Sequence, residues 1–143
     1  RKVNEETLQV HPKMNANIVV LKLFPGITKA TVQAILKQDK TEAVLLETFG
    51  SGNAPTSKWF LDEIEAAINS GQLILNVSQC MGGTVEMGRY ETSKRLKDLG
   101  VLSAYDMSFE AALTKLMFVL GYTKSKEKRI ALLSANLQGE MTL

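Results

Sequence analysis

Short apolar runs alternate along this chain with stretches whose apolar residues recur at helical spacing. Ile18 to Leu23 is a β-branched run of strand length, ending at a turn set by Pro25 and Gly26, after which Thr28 is placed to cap a helix. Val32, Ile35 and Leu36 mark that helix, and its pattern fades in the polar stretch from Lys37 to Thr41. Ala43 to Leu46 reads as a second strand. Phe60, Ile64, Ala67 and Ile68 share one face of a second helix that stops at Gly71, and Leu73 to Val77 forms a third strand. Tyr90 to Leu99 reads as a short charged helix closed by Gly100, with Val101 and Leu102 a brief fourth strand. Ser108 is placed to cap a long helix carrying Phe109, Leu113, Leu116, Met117 and Leu120 on one face, and Ser125 another carrying Ile130, Leu133 and Leu137.

Strands that alternate with amphipathic helices pair in parallel through right-handed crossovers, so the pattern predicts an α/β domain of three layers. The expected core is a short, roughly four-stranded parallel sheet with helices on both faces, flavodoxin-like or Rossmann-like in class. Residues 18–143 make up this domain. Residues 1–17, polar and opening on "RKVNEETLQVHPK" without an initiator Met, read as a lead-in or interdomain linker, and the whole as a piece of a longer protein.

Composition narrows the partners. A 45% hydrophobic, 22% charged chain with scattered short apolar runs such as Ile18 to Leu21 has the balance of a globular domain and no stretch long enough to span a bilayer. The net charge of +2 arises from interspersed residues, which gives nucleic acid little to hold. The one exception is the cluster Lys124, Lys126, Lys128 and Arg129, expected to be a solvated helix start although it opposes the helix dipole there. A single cysteine forms no internal disulfide, so a reducing cytosol is the default compartment.

In parallel α/β folds ligands collect outside the carboxyl ends of the strands, and three loops lie there: "LFPGITK", "FGSGNAPTS" and "SQCMGGTVEMGR". Gly50, Gly52 and Asn53 suggest a phosphate cradle, but Pro55 occupies the third glycine position of that fingerprint, so a tight turn with Asn53 bonding its own backbone is the simpler reading. Reach of Asn53 across a subunit boundary is a third. Cys80 is either small buried filler or a thiol whose pKa Arg89 lowers, and the flanking glycines weigh against a dry core position. His11 stands apart from other ligand types, so it is expected in solvent and no metal site is legible. The loop from Asn76 to Tyr90 is then either a mobile surface segment or a lip over a ligand.

The stretches "FGSGNAP", "NVSQCMGGTVEMGRYETS", "GVLSAYDMSFEAALTKLMFVLGY" and "NLQGEMT" resemble the C-terminal domain of bacterial type I, cytosolic, L-asparaginases, over nearly the whole chain from Ile18 onward. The resemblance implies two α/β domains, hydrolysis of L-asparagine to L-aspartate and ammonia without a cofactor, and dimers or tetramers in which this domain borders a neighbouring subunit's active site. It also implies that the nucleophilic threonine of T-G-G-T-I, the second threonine of T-D-T and their lysine belong to the N-terminal domain. Only "MGGTV" imitates the first motif, and Thr84 lacks the base and orienting group a nucleophile requires, so this chain alone is expected to be inactive.

Residue by residue, Asn53 matches the asparagine of the family's G-x-G-N turn, which approaches a neighbour's substrate pocket. Glu86 and Tyr90 are further substrate-side candidates in a loop that then reads as an intersubunit lip. Glu47, Asn53, Ser78 and Cys80, at the ends of neighbouring strands, are expected to border one crevice suited to L-asparagine as an effector. Implied partners are L-asparagine, the chain's own N-terminal domain and a second subunit. The alternative reading is an amino-acid-binding or regulatory module with no enzymatic role.

Overall fold

The computed structural model describes residues 9–88 and 91–142. Strands β1 (Ile18–Lys22), β2 (Ala43–Thr48), β3 (Leu73–Ser78) and β4 (Leu102–Ser103) alternate with helices α1 (Lys29–Leu36), α2 (Lys58–Asn69) and α3 (Glu91–Leu99), and α4 (Phe109–Tyr122) and α5 (Lys126–Ser134) follow. Three helices begin where a hydroxyl takes up an orphan backbone N–H: Thr28 accepts from Thr31, Ser108 from Ala111 and Ser125 from Lys128.

Every strand pairing is parallel, and the strands lie in chain order, β1-β2-β3-β4. The order has no reversal, unlike the flavodoxin and Rossmann arrangements, so the crossover helices α1, α2 and α3 all lie on one face. There Leu21, Val44, Leu46 and Ile74 pack against Val32 and Leu36 of α1, Phe60, Ile64 and Ala67 of α2, and Leu96 of α3. The chain crosses back after β4. On the opposite face Ala43, Leu45, Leu73, Leu75 and Val77 meet Ala112, Leu116, Val119 and Leu120 of α4 and Leu133 of α5. All six residues of β2 and of β3 are buried, which is why both read as continuous apolar runs. Each fully buried Leu, Ile or Phe of this core contributes roughly 1.5–3 kcal/mol.

The core side of α4 departs from the expected one. Leu116 and Leu120 are buried, but Phe109, Leu113 and Met117 are half-buried flanks, and the inner face is completed by Ala112, Val119 and Lys115. Lys115 is tolerated there because its ammonium meets the Glu140 carboxylate at 2.6 Å and the Ala135 carbonyl. Burial works to raise the Glu140 carboxyl, and hydrogen bonds from Lys115 and from the backbone N–H groups of Leu137 and Gln138 outweigh it and hold it at about 2. Leu137 lies beyond the end of α5, in this tail.

The basic cluster is not simply a solvated helix start. Arg129 is buried; its Nε donates to the Thr123 carbonyl at 2.7 Å and its Nη2 to the Leu120 carbonyl at 3.1 Å, so it caps the carboxyl end of α4, where a cation is favoured. Its Nη2 also reaches Glu42 Oε2 at 2.9 Å, and Lys124 approaches the same carboxylate at 3.3 Å. Asn15 and Asn17 donate to it as well. Burial works to raise the Glu42 carboxyl, and the hydrogen bonds from Asn15, Arg129, Asn17 and Lys124 outweigh it and hold it at about 2.

Candidate functional site

The loops after β2, β3 and β4 converge at the carboxyl ends of the strands and are tied to one another. Phe49 and Asn53 exchange backbone hydrogen bonds of 2.9 and 2.8 Å, closing the turn that contains Gly50, Ser51 and Gly52. Ser78 Oγ donates to the Gly50 carbonyl at 2.5 Å and accepts from the Cys80 N–H at 3.0 Å. The Glu86 N–H donates to the Ser51 carbonyl at 3.1 Å. Gly52, at φ +108°, allows Val85 to close over the turn, since a Cβ at 52 would stand 3.0 Å from Val85 Cγ1. Val85 is itself fixed from β4: its N–H donates to the Tyr105 carbonyl at 2.9 Å and its carbonyl accepts from Ser103 Oγ at 2.9 Å.

Beneath the loops lies a buried polar pair, with Thr48 Oγ1 donating to Asn76 Oδ1 at 2.6 Å. The Asn76 amide donates to Met87 Sδ at 3.5 Å, which joins the sheet to the far end of the loop. Gln79 Nε2 donates to the carbonyls of Leu23, at 2.6 Å, and Glu47, at 2.9 Å, and so clamps the ends of β1 and β2. The loop from Gln79 to Gly88 is therefore a fixed lip. Cys80, Met81, Thr84 and Glu86 are exposed along it.

Asn53 is half-buried in the closed turn, and its Oδ1 accepts from Thr92 Oγ1 at 3.2 Å. Its side chain thus bonds the start of α3, and its backbone closes the turn. Tyr90 and Arg89 lie outside the described residues. Cys80 is exposed, so it is not core filler. Ser78 and Cys80 are joined by the hydrogen bond above, and Ser78 holds the turn of Asn53 through Gly50. Glu47 is not brought to them. It pairs in register with Val77 and Lys22, whereas Ser78 pairs with Thr48, and the alternation of a strand sends Glu47 to the opposite face from Ser78. There its carboxylate stands 3.6 Å from Lys22 Nζ.

No described residue hydrogen-bonds the exposed Thr84 hydroxyl. Among the described residues no group of three or more His, Cys, Asp or Glu side chains comes together to hold a metal, and no helix is long and apolar enough to cross a membrane. His11 is exposed, with its ring edge-on to Tyr122 at 5.2 Å between centroids. It borders a groove of about 640 Å³ formed with Phe118, Tyr122, Leu132 and Leu137, none of which belongs to the strand-end loops.

Sequence reasoning missed Gln79, Val85 and the Thr48–Asn76 pair. Asn76 carried a signal, being a polar residue inside the apolar run "LILNVS". The bonds of Gln79, to chain 32 and 56 residues away, left none.

The sequence profile of the glutaminase/asparaginase C-terminal domain matches residues 17–133. The chain belongs to that family. L-asparaginase 1 of Escherichia coli strain K12 is 40% identical over 138 residues, 96% of this chain and 40% of that protein. The human 60 kDa lysophospholipase is 42% identical over 144 residues, 99% of this chain and 25% of that protein. The crystal structure of L-asparaginase I from Vibrio cholerae superimposes with a TM-score of 0.89 at 40% identity, covering 97% of this chain and 42% of that one. The chain thus spans less than half the length of each of these relatives. The α/β class of this asparaginase C-terminal domain, a four-stranded parallel sheet with helices on both faces, agrees with the one its sequence pattern predicts, and its strand order is unreversed.

Proposed function

We propose that this chain serves as the C-terminal domain of a cytosolic type I L-asparaginase, hydrolysing L-asparagine to L-aspartate and ammonia only in company with an N-terminal domain that carries the threonine nucleophile. The observation that carries this reading is the match from residue 17 to residue 133 to a domain family found at the C-terminal part of L-asparaginases, together with the 0.89 TM-score to one of them. The unsupported hydroxyl of Thr84 agrees with a catalytic centre elsewhere.

In this reading the lip faces a second subunit. Asn53, Glu86 and Tyr90 supply its polar contacts toward that subunit's substrate, and the fully exposed Met81 supplies an apolar one. A fixed lip suits that role, since ordering a mobile loop at an interface costs free energy that a pre-tied one has already met on folding. An effector L-asparagine would lie with Asn53, Ser78 and Cys80, without Glu47, which faces the other side of the sheet.

The test is a hybrid in which this chain replaces the corresponding domain of E. coli L-asparaginase 1. Ammonia release from L-asparagine by the folded hybrid is expected, and none from the chain alone. A folded, inactive hybrid would overturn the proposal in favour of a binding module without enzymatic role. So would Thr84-dependent ammonia release by the isolated chain.

A further inference from the structure

The segment 9–17, expected to be a linker, has no helix or strand, yet it is held at several points along α4. The Asn15 N–H donates to the Met117 carbonyl at 3.0 Å. Its side chain donates to Glu42 Oε1 at 2.7 Å, and its Oδ1 accepts from the Asn17 N–H at 2.9 Å. Asn17 Nδ2 reaches Glu42 Oε1 at 3.4 Å, and the Asn17 carbonyl accepts from the Glu42 N–H at 2.8 Å, leading the segment into the pairing of β1 with β2. Farther up, the His11 ring sits edge-on to Tyr122 and Phe118.

Gly121 is the informative contact. Glycine inside a helix costs about 1 kcal/mol relative to alanine, so its place one residue before the end of α4 calls for a reason. A Cβ at 121 would overlap the Lys13 carbonyl oxygen and stand 2.8 Å from the Lys13 carbonyl carbon and 3.1 Å from Met14 Cα. The obstacle is backbone, which cannot rotate aside as a side chain would. Helix and segment approach closely because residue 121 has no side chain.

We propose that residues 9–17 form a strap docked on α4, that Gly121 and Glu42 are its positioning residues, and that the docked strap sets the angle at which the preceding chain enters the domain. The catalytic consequence rests on the function proposed above: a strap fixed at Gly121 and at Glu42 holds the N-terminal domain in register with the lip, whereas a free linker of the same length would leave that orientation to be selected at each encounter. Glu42 suits the task because it draws on two other parts of the molecule, Lys124 between α4 and α5 and Arg129 within α5.

The test uses Gly121→Ala in two settings, with Asn15→Ala as a second variant that removes side-chain anchors without adding bulk to the helix. In the isolated chain, trypsin cleavage after Lys13 is expected to speed up roughly tenfold or more in either variant, while the core fragment from Met14 onward resists as in the wild type. In the hybrid enzyme the same variants are expected to lower kcat roughly tenfold with KM within about twofold, as misorientation of reacting groups does. Unchanged cleavage in both variants would overturn the docked strap. Faster cleavage with unchanged kcat would overturn its positioning role. A hybrid inactive even with the wild-type strap would count against the proposed function instead, and the protease measurement would still decide whether the strap is docked.

Discussion

Replacing Glu42 by Gln probes the junction where the strap, β2, α4 and α5 meet. In the wild type the Glu42 carboxyl is held at about 2 against an ordinary 4.5. A depression of that size corresponds to about 3 kcal/mol if fully expressed. The carboxylate is 27% exposed and its partner Lys124 is 77% exposed, so solvent screening reduces the figure to about 1.5–2 kcal/mol. Because the folded pKa lies below the unfolded one, this stabilisation is present above about pH 4.5 and is lost as the pH falls toward 2. The charged and polar groups facing Glu42 in that pH window are Arg129, Lys124, Asn15 and Asn17. Glu140 does titrate there, but it does so in both proteins and cancels in their difference. The assay is urea unfolding of wild type and Glu42→Gln at intervals from pH 7 to pH 2.5. At pH 7 the variant is expected to be less stable by about 1.5–2 kcal/mol, equivalent to roughly 5 °C in Tm for a domain of this size, and the gap is expected to close as the pH falls through the window. A gap that stays constant down to pH 2.5 would show that Glu42 acts through packing, and the electrostatic account of the junction would be refuted.

Two other substitutions probe the lip. Gly52→Ala places a side chain at φ +108° and 3.0 Å from Val85 Cγ1, and it is expected to cost about 1–3 kcal/mol and to speed amide exchange at Val85 and Glu86; an unchanged melting temperature would remove the close packing of turn and lip. Asn53→Ala loses the bond from Thr92, about 1 kcal/mol of stability, and in the hybrid enzyme it is expected to lower kcat/KM beyond what that loss explains; kinetics equal to the wild type would leave Asn53 as a tie between turn and α3 alone.

What could be read from the sequence was what short-range chemistry determines. Thr28, Ser108 and Ser125 were legible as caps because their partners are three residues away, and β2 and β3 as buried strands because neither has a solvent face. The inner face of α4 differs from the apolar face Phe109, Leu113, Leu116, Met117 and Leu120 because it includes Lys115, whose neutralising partner Glu140 lies 25 residues on, out of reach of periodicity. Arg129 was misjudged for the same reason, as Glu42 is 87 residues away. At the candidate site, the adjacency of β2 and β3 was anticipated, but the register was not, and register parity places Glu47 on one face and Ser78 on the other. The rigidity of the lip could not be foreseen from its glycines, since its ties run to Ser51, Ser103 and Tyr105, all supplied by other loops or strands.

The unreversed order of the sheet bears on how the chain acquires its shape. Ile18 pairs with Ala43, Ala43 with Leu73 and Leu75 with Leu102, so each strand's neighbour is the next one synthesised, 25 to 30 residues later. Each β-α-β unit can close as soon as it leaves the ribosome, and no strand has to wait with an open slot beside it for a distant segment to insert. The strap is the exception. Asn15 bonds Met117, 102 residues later in the chain, so this segment can dock only after α4 has been made and packed. Strand order therefore permits assembly from β1 through β4 in the order of synthesis, with the contact between strap and α4 among the last that can form.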